Sequence, residues 1–294
     1  MDDRWSAADQ LPRSPIGSMR PVPPRIHVLL ASDSPRALVI RRGPSDCVAT
    51  VLWDRHRDEF QLGQWLKGRI YERRSDISPD GQYAIYFAMN GKWQSESKGS
   101  WTAISRVPYL KAIAFLPKGD CWHGGGLWTG KNSYWLNDGH GHSTGLASPA
   151  VHRDHDYQPC EYFGGECLGV YYVRLLRDGW RMAGERIHVA DWKVKDMFEK
   201  SIGKGWVLRK IAHAEHEAPI GKGVYWDEHE LVGPAESQAI ACPDWEWADL
   251  DGDRLVWAAK GKLFAASVAM NGLNDMVELH DFNAMQFEAI EAPY

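Results

Sequence analysis

Five of the twelve histidines in this 294-residue chain fall between Gly119 and Cys167, and there the residue types best suit chemistry. The stretch holds Cys121-Trp122-His123-Gly124-Gly125-Gly126-Leu127-Trp128, then Asn137-Asp138-Gly139-His140-Gly141-His142-Ser143, then His152, Asp154, His155 and Asp156. Imidazole and carboxylate donors suit zinc, nickel, copper or ferrous iron. On an extended strand His140 and His142 project to the same side, so both rings reach one ion. Asp138 or His155 completes the set and leaves a coordination position for water. The expectation is a divalent transition-metal site at His140, His142 and His155, beside a ligand-binding surface of Trp122, His123, Trp128 and Asp138. A polar, exposed Gly-rich connection is the competing reading of the same residues.

Other clusters are weaker. His213-Ala214-Glu215-His216-Glu217, with Asp227-Glu228-His229-Glu230 nearby, offers acid–base groups but no His-Glu-x-x-His spacing. Glu217 or Glu230 serves as a general acid only if buried beside a partner. Asp249-Leu250-Asp251-Gly252-Asp253 lacks the distal glutamate of an EF-hand and reads as a hairpin turn. Cys121 and His123 share a strand face, yet no third group in their flanks orients the imidazole. Neither a G-x-S-x-G elbow nor a phosphate-binding glycine loop with its lysine occurs.

The elements that must position these groups are short strands and turns. Residues 1–25 carry Pro12, Pro15, Pro21, Pro23 and Pro24 and read as an extended leader. From Ile26 onward, Ile26–Leu30, Ala37–Ile40, Val48–Trp53 and the half-exposed Phe60–Leu66 read as strands. The clearest unit is Asp76-Ile77-Ser78-Pro79-Asp80-Gly81-Gln82-Tyr83-Ala84-Ile85-Tyr86-Phe87. Pro79 presets one turn position, Gly81 supplies a positive φ, and Tyr83–Phe87 follows as a strand buried on both faces. Turn residues recur before Ala37, Cys121, Cys167 and Arg254, with a period in the low forties and a degenerate unit expected around Gly203–Tyr225. Cys167–Leu176 is read as a strand, and only Asp191–Lys200 as a helix.

This turn-then-strand unit resembles the repeat of TolB-like and WD40-like β-propellers. The resemblance implies an all-β domain over residues 26–294, a propeller of about five blades. Six blades or a paired β-sandwich are the alternatives. Glycosidases on this fold use two or three carboxylates around the central channel, and Asp76, Asp138, Asp227 and Glu246 are the candidates by position near blade starts. Leu279–Ile290 is expected to form the closing strand, paired with Ile26–Leu30, so that deleting residues 279–294 unfolds the protein and deleting 1–20 does not.

Composition narrows the function classes. Asp and Glu (39) exceed Lys and Arg (34), so no general basic footprint for nucleic acid exists. Arg36, Arg41, Arg42, Arg55, Arg57, Arg69, Arg73 and Arg74 crowd the first quarter and read as solvated strand faces. Five cysteines form no C-x-x-C pair, no signal-peptide pattern opens the chain, and no apolar run spans a bilayer. These features suggest a cytoplasmic chain with free thiols. Fifteen tryptophans supply core and binding anchors. The leading expectation is a non-enzymatic propeller that binds a protein or small-molecule ligand. A metal-dependent enzyme using the 121–155 loop is the second reading, and a carbohydrate-binding or carbohydrate-cleaving propeller the third.

Overall fold

The computed structural model describes residues 22–43, 46–139, 141–164, 166–184, 187–190, 193–215, 218, 222–234 and 239–294. The proline-rich leader lies almost wholly outside them. The fold is all-β, built on hairpins whose turns follow from local chemistry. At Ser78–Gly81 the Gly81 N–H donates to the Ser78 carbonyl at 2.8 Å, with Gly81 at φ +71°. The Ser78 hydroxyl donates to Asp80 and accepts the Tyr83 N–H. A Cβ at Gly81 would stand 2.6 Å from that of Arg36, so only glycine fits.

Among the described residues the strands form five sheets. The first contains β1 (Arg25–Leu30), β2 (Arg36–Arg42), β3 (Cys47–Asp54) and β4 (Glu59–Lys67) in chain order. The second contains β5 (Arg69–Ile77), β6 (Tyr83–Met89), β7 (Ser100–Arg106) and β8 (Ala112–Pro117). A smaller third sheet holds β9 (Gly126–Trp128), β10 (Ser133–Leu136) and β11 (His152–Arg153), the last joined in parallel. The fourth comprises β12 (Arg181–Met182), β13 (Ile187–Ala190), β14 (Lys193–Gly203), β15 (Trp206–Glu215), β16 (Tyr225–Val232) and β17 (Ala239–Ala241). The fifth runs β18 (Trp245–Asp251), β19 (Arg254–Ala259), β20 (Lys262–Ala269), β21 (Gly272–Asp281). Apart from β10–β11, all pairings are antiparallel.

Three sequence expectations are corrected here. The helix is Cys167–Arg177 (α1), whereas Lys193–Lys200 belongs to β14; Asp191 and Trp192 lie outside the described residues. Leu168 to Leu175 is nearly all apolar and buried, and such a run does not separate a buried strand from a buried helix by period. Its last turn is fixed by Gly179 at φ +87° and by Trp180 N–H donating to the Leu175 carbonyl at 3.0 Å. The low-forties period holds only from the first sheet to the second: the sheets begin at Arg25, Arg69, Gly126, Arg181 and Trp245, with α1 inserted before the fourth start and the long β14–β15 hairpin before the fifth. Residues around Gly203–Tyr225 fall inside the fourth sheet instead of forming a separate unit.

The C-terminal segment is the third. β21 pairs with β20, and β1 pairs with β2 alone among the described strands. The first and last sheets meet side by side, β1 against β18, with the Ile26 N–H donating to Glu246 Oε2 at 2.9 Å. β1 also lies against β5, β5 against β9, α1 against β5, β9 and β12, and β16 against β18. Beyond β21, Phe282 is fully buried among Ile26, Val28, Trp53 and Trp247. The chain then runs back over the first two sheets, where the Gln64 amide donates to the Ile290 carbonyl and Tyr294 Oη to the Lys111 carbonyl. Removing residues 287–294 is therefore expected to cost about 1–2 kcal/mol in denaturant unfolding and leave the fold intact, since Phe282 stays in place.

Candidate functional site

Six buried polar side chains from five elements meet where the sheets converge. Arg73 projects from β5, Tyr171 and Arg174 from successive turns of α1, Lys210 from β15, Asp227 from β16 and His27 from β1. The elements force this meeting. α1 packs against β5, whose pairing with β6 shifts register between Tyr71 and Asp76, the stretch that holds the buried Arg73. Tyr171 and Arg174, three apart, lie on one helical face. Asp227 Oδ1 accepts from Arg73 Nη2 and Oδ2 from Tyr171 Oη, both at 2.6 Å. Burial alone would raise the Asp227 carboxyl, but Arg73 and Lys210 hold it below the ordinary aspartate range.

Lys210 is 1% exposed, and its Nζ donates to Tyr171 Oη at 3.2 Å while lying 4.6 Å from the Trp180 ring. Burial, opposed by Asp227 and Asp249 and reinforced by the like charges of Arg73 and Arg174, pulls its ammonium down to about 8. Arg174 donates to the carbonyls of Glu72 and Ser75 and, at 3.0 Å, to His27 Nε2. Burial and then Arg174 keep His27 neutral, so its proton sits on Nδ1 and remains available as a donor. Across the β15–β16 ladder from Lys210, His229 is pushed down to about 3 by burial and by Lys210. Its Nδ1–H donates to the Trp245 carbonyl, which leaves the buried Nε2 without a hydrogen-bond partner.

Charge is unbalanced in this cluster. Arg73 is matched by Asp227, but among the described residues no carboxylate forms an ion pair with Arg174 or Lys210. Asp76 and Asp178 act on Arg174, and Asp227 and Asp249 on Lys210, without contact, and buried cations that lack a contacting anion are costly unless a ligand supplies one.

Both face a cavity of about 570 Å³ that opens where β1, β5, β9, β18 and α1 end. Its wall alternates apolar residues (Val28, Leu29, Trp128, Trp247) with ion pairs already satisfied within the protein. Arg177 grips Asp76 with both nitrogens at 2.6 and 2.9 Å, and Asp76 also accepts the Trp128 N–H. Lys200 meets Asp249 at 2.5 Å and Arg55 meets Asp251 at 2.8 Å. The wall is thus held rigid while Lys210, Arg174 and His27 keep donor capacity.

A smaller cleft of about 70 Å³, which shares His27 with the wide cavity, is lined by Arg25, Arg42, Glu72, Arg73, Asp227 and Glu246. Burial raises Glu246 to about 7 despite the Ile26 N–H. Its folded value lies above the unfolded one, so stability falls as pH rises through roughly 4.5 to 7. Glu246→Gln is expected to remove that decline and to exceed the parent by about 1–2 kcal/mol at neutral pH, measured by urea unfolding at several pH values.

The residues singled out from sequence are placed as follows. Trp128 lines the wide cavity and is 3% exposed, whereas Trp122 is 59% exposed at the surface. His142 Nδ1 pairs with Asp138 at 2.8 Å and Nε2 with Thr102 Oγ1 at 3.0 Å, so both ring nitrogens have protein partners. Asp138 is shared with Arg153 at 3.0 Å. His155 is exposed, and His140 lies outside the described residues. Among the described residues no three His, Cys, Asp or Glu side chains gather as a metal set. The loop is anchored instead by Arg74, whose Nη1 donates to the Cys121 and His123 carbonyls.

Of the four blade-start carboxylates, Asp227 and Glu246 share the smaller cleft, Asp76 faces the wide cavity and Asp138 stands apart. Glu230 pairs with Arg209, and Glu217 lies outside the described residues. Asp249–Asp253 forms the β18–β19 turn, as its sequence suggests.

The reading of the early arginines as solvated is overturned for Arg41, Arg73 and Arg74, each 5% exposed or less. Sequence reasoning missed Lys210, Arg174 and Tyr171; the signal available was a lysine in strand phase with the apolar Leu208 and Ala212 in Trp206–Ala212. No helix among the described residues is long and apolar enough to cross a membrane.

No family model and no curated protein matches the chain. Among solved structures, "Kuenenia stuttgartiensis Hydrazine Synthase" aligns with a TM-score of 0.31 and 8% identity, over 88% of this chain and 80% of that one. At that level of similarity it carries no argument about fold or function.

Proposed function

We propose that this chain is a five-bladed propeller that binds a small organic anion in its central cavity. The observation that carries the reading is the pair of buried cations, Arg174 and Lys210, that face a 570 Å³ cavity with no carboxylate in ion-pair contact among the described residues, the cavity's Asp76 and Asp249 being paired to Arg177 and Lys200. Support for the propeller comes from the order of contacts, which passes from each sheet to the next and returns from the fifth to the first, with α1 standing between the third and fourth. The cavity is of the size that encloses small ligands, and its apolar wall suits a short carbon skeleton. Arg174 keeps Nε–H and one Nη2–H beyond its bonds to Glu72, Ser75 and His27, while Lys210 and His27 Nδ1–H add two further donors.

Thermal unfolding with succinate, phosphate and the uncharged succinamide tests this. Succinate at a hundred times its dissociation constant is expected to add about 2.7 kcal/mol, with no effect of succinamide. Equal effects of the charged and uncharged compounds, or none from either anion, would remove the reading.

A further inference from the structure

The arrangement around Lys210 goes past charge recognition, and it rests on the anion-binding reading just given. Four observations concern its amine. It is enclosed, with aromatic rings of Trp180 and Tyr171 at 4.6 and 5.6 Å from Nζ. Its one hydrogen bond among the described residues goes to a phenol oxygen, because Tyr171 has already committed its own proton to Asp227. It opens onto the wide cavity. And Arg174 lies 5.4 Å from the centroid of the same tyrosine ring and lines the same cavity, so one ligand in that cavity can meet both groups.

In that setting the ammonium has no carboxylate in contact, only the more distant Asp227 and Asp249 and two aromatic rings, and the amine faces the cavity. Lys210 titrates near 8, so at that pH its neutral fraction exceeds that of an ordinary surface lysine by about a hundredfold. The phenol of Tyr171, raised by burial and by Asp227, stays protonated and leaves only its lone pairs to the lysine.

We propose that Lys210 captures 2-oxo acids covalently, as a reversible Schiff base whose carboxylate is held by Arg174. The lysine nitrogen adds to the carbonyl carbon to give a carbinolamine. Loss of the former carbonyl oxygen as water, with both amine protons, then leaves a C=N bond. The forward step consumes one amine and one carbonyl and releases one water, and hydrolysis reverses it. No oxidant or reductant takes part.

The full chain is incubated with pyruvate and cyanoborohydride at about pH 8, and the product is read by intact mass and peptide mapping. The expected result is one adduct per chain on Lys210, formed much faster than on any other lysine, slowed by excess succinate and absent from Lys210→Arg. An adduct spread over surface lysines, or none at all, overturns covalent capture. Because the wild-type chain is mapped directly, the outcome does not depend on how the variant folds. Succinate binding separates the two levels. If succinate stabilises the protein and pyruvate leaves no adduct at Lys210, covalent capture fails and anion binding stands. If succinate also has no effect, the anion site itself is wrong.

Discussion

Lys210→Met is expected to make the ligand-free protein more stable by about 2–3 kcal/mol near neutral pH while abolishing its stabilisation by succinate. Methionine matches the lysine stem in length and packs against Trp180 and Tyr171 without a charge to desolvate. The sign follows from linkage. The folded lysine titrates near 8 and the unfolded one near 10.5, so between those values the unfolded chain binds more protons. Wild-type stability therefore gains an increment as pH rises through that window, and below it the full penalty of the buried ammonium remains. The variant should lack that increment. Urea unfolding at pH values from about 7 to 10.5 reads both effects, and a destabilised variant at neutral pH would show that the ammonium has a counterion in the fold. A residue that weakens the fold and serves binding is an instance of the trade-off between stability and function.

Asp227→Asn is expected to cause the largest loss of any single substitution in the cluster, about 3–5 kcal/mol at neutral pH. The carboxylate stands between Arg73 and Tyr171, with both partners of the ion pair 6% exposed. Neutralising it leaves three buried cations, Arg73, Arg174 and Lys210, with no anion among them. Since the Asp227 carboxyl is held below its ordinary range, its contribution is complete above about pH 4 and is lost as pH falls through the folded value. Adding Arg73→Met to the variant should restore part of the loss, with a coupling of about 1–3 kcal/mol in denaturant unfolding. A loss under about 1 kcal/mol for the single change would mean that water reaches Arg73 in the folded protein.

The parts of this fold that could be read from sequence are those fixed by local chemistry. Ser78–Gly81 dictates its turn because a proline, a glycine and two side-chain acceptors all agree. β6 is legible because a strand buried on both faces must be apolar throughout. The site was not legible, for a different reason. Arg73 and Arg74 sit in Tyr71-Glu72-Arg73-Arg74, which looks like any solvated strand until α1 and sheet four close over it. Lys210, Asp227 and Arg174 are 17 to 53 residues from one another in the chain, and nothing in their flanks marks them as partners. The helix itself was hidden by its apolar completeness, because burial on nearly every side erases the periodicity that would have revealed it. Histidines drew attention in the 121–155 loop by their number, yet His142 is spent on holding Asp138 and Thr102 together.

Proton uptake on binding tests the central claim most directly. An anion seated beside Lys210 raises the pKa of that amine, which at about pH 8 is half protonated in the empty cavity. Calorimetric titration with succinate in two buffers of different ionisation enthalpy then yields an uptake of about half a proton per site. Binding without buffer dependence, or no heat at all, would contradict an anion site at Lys210.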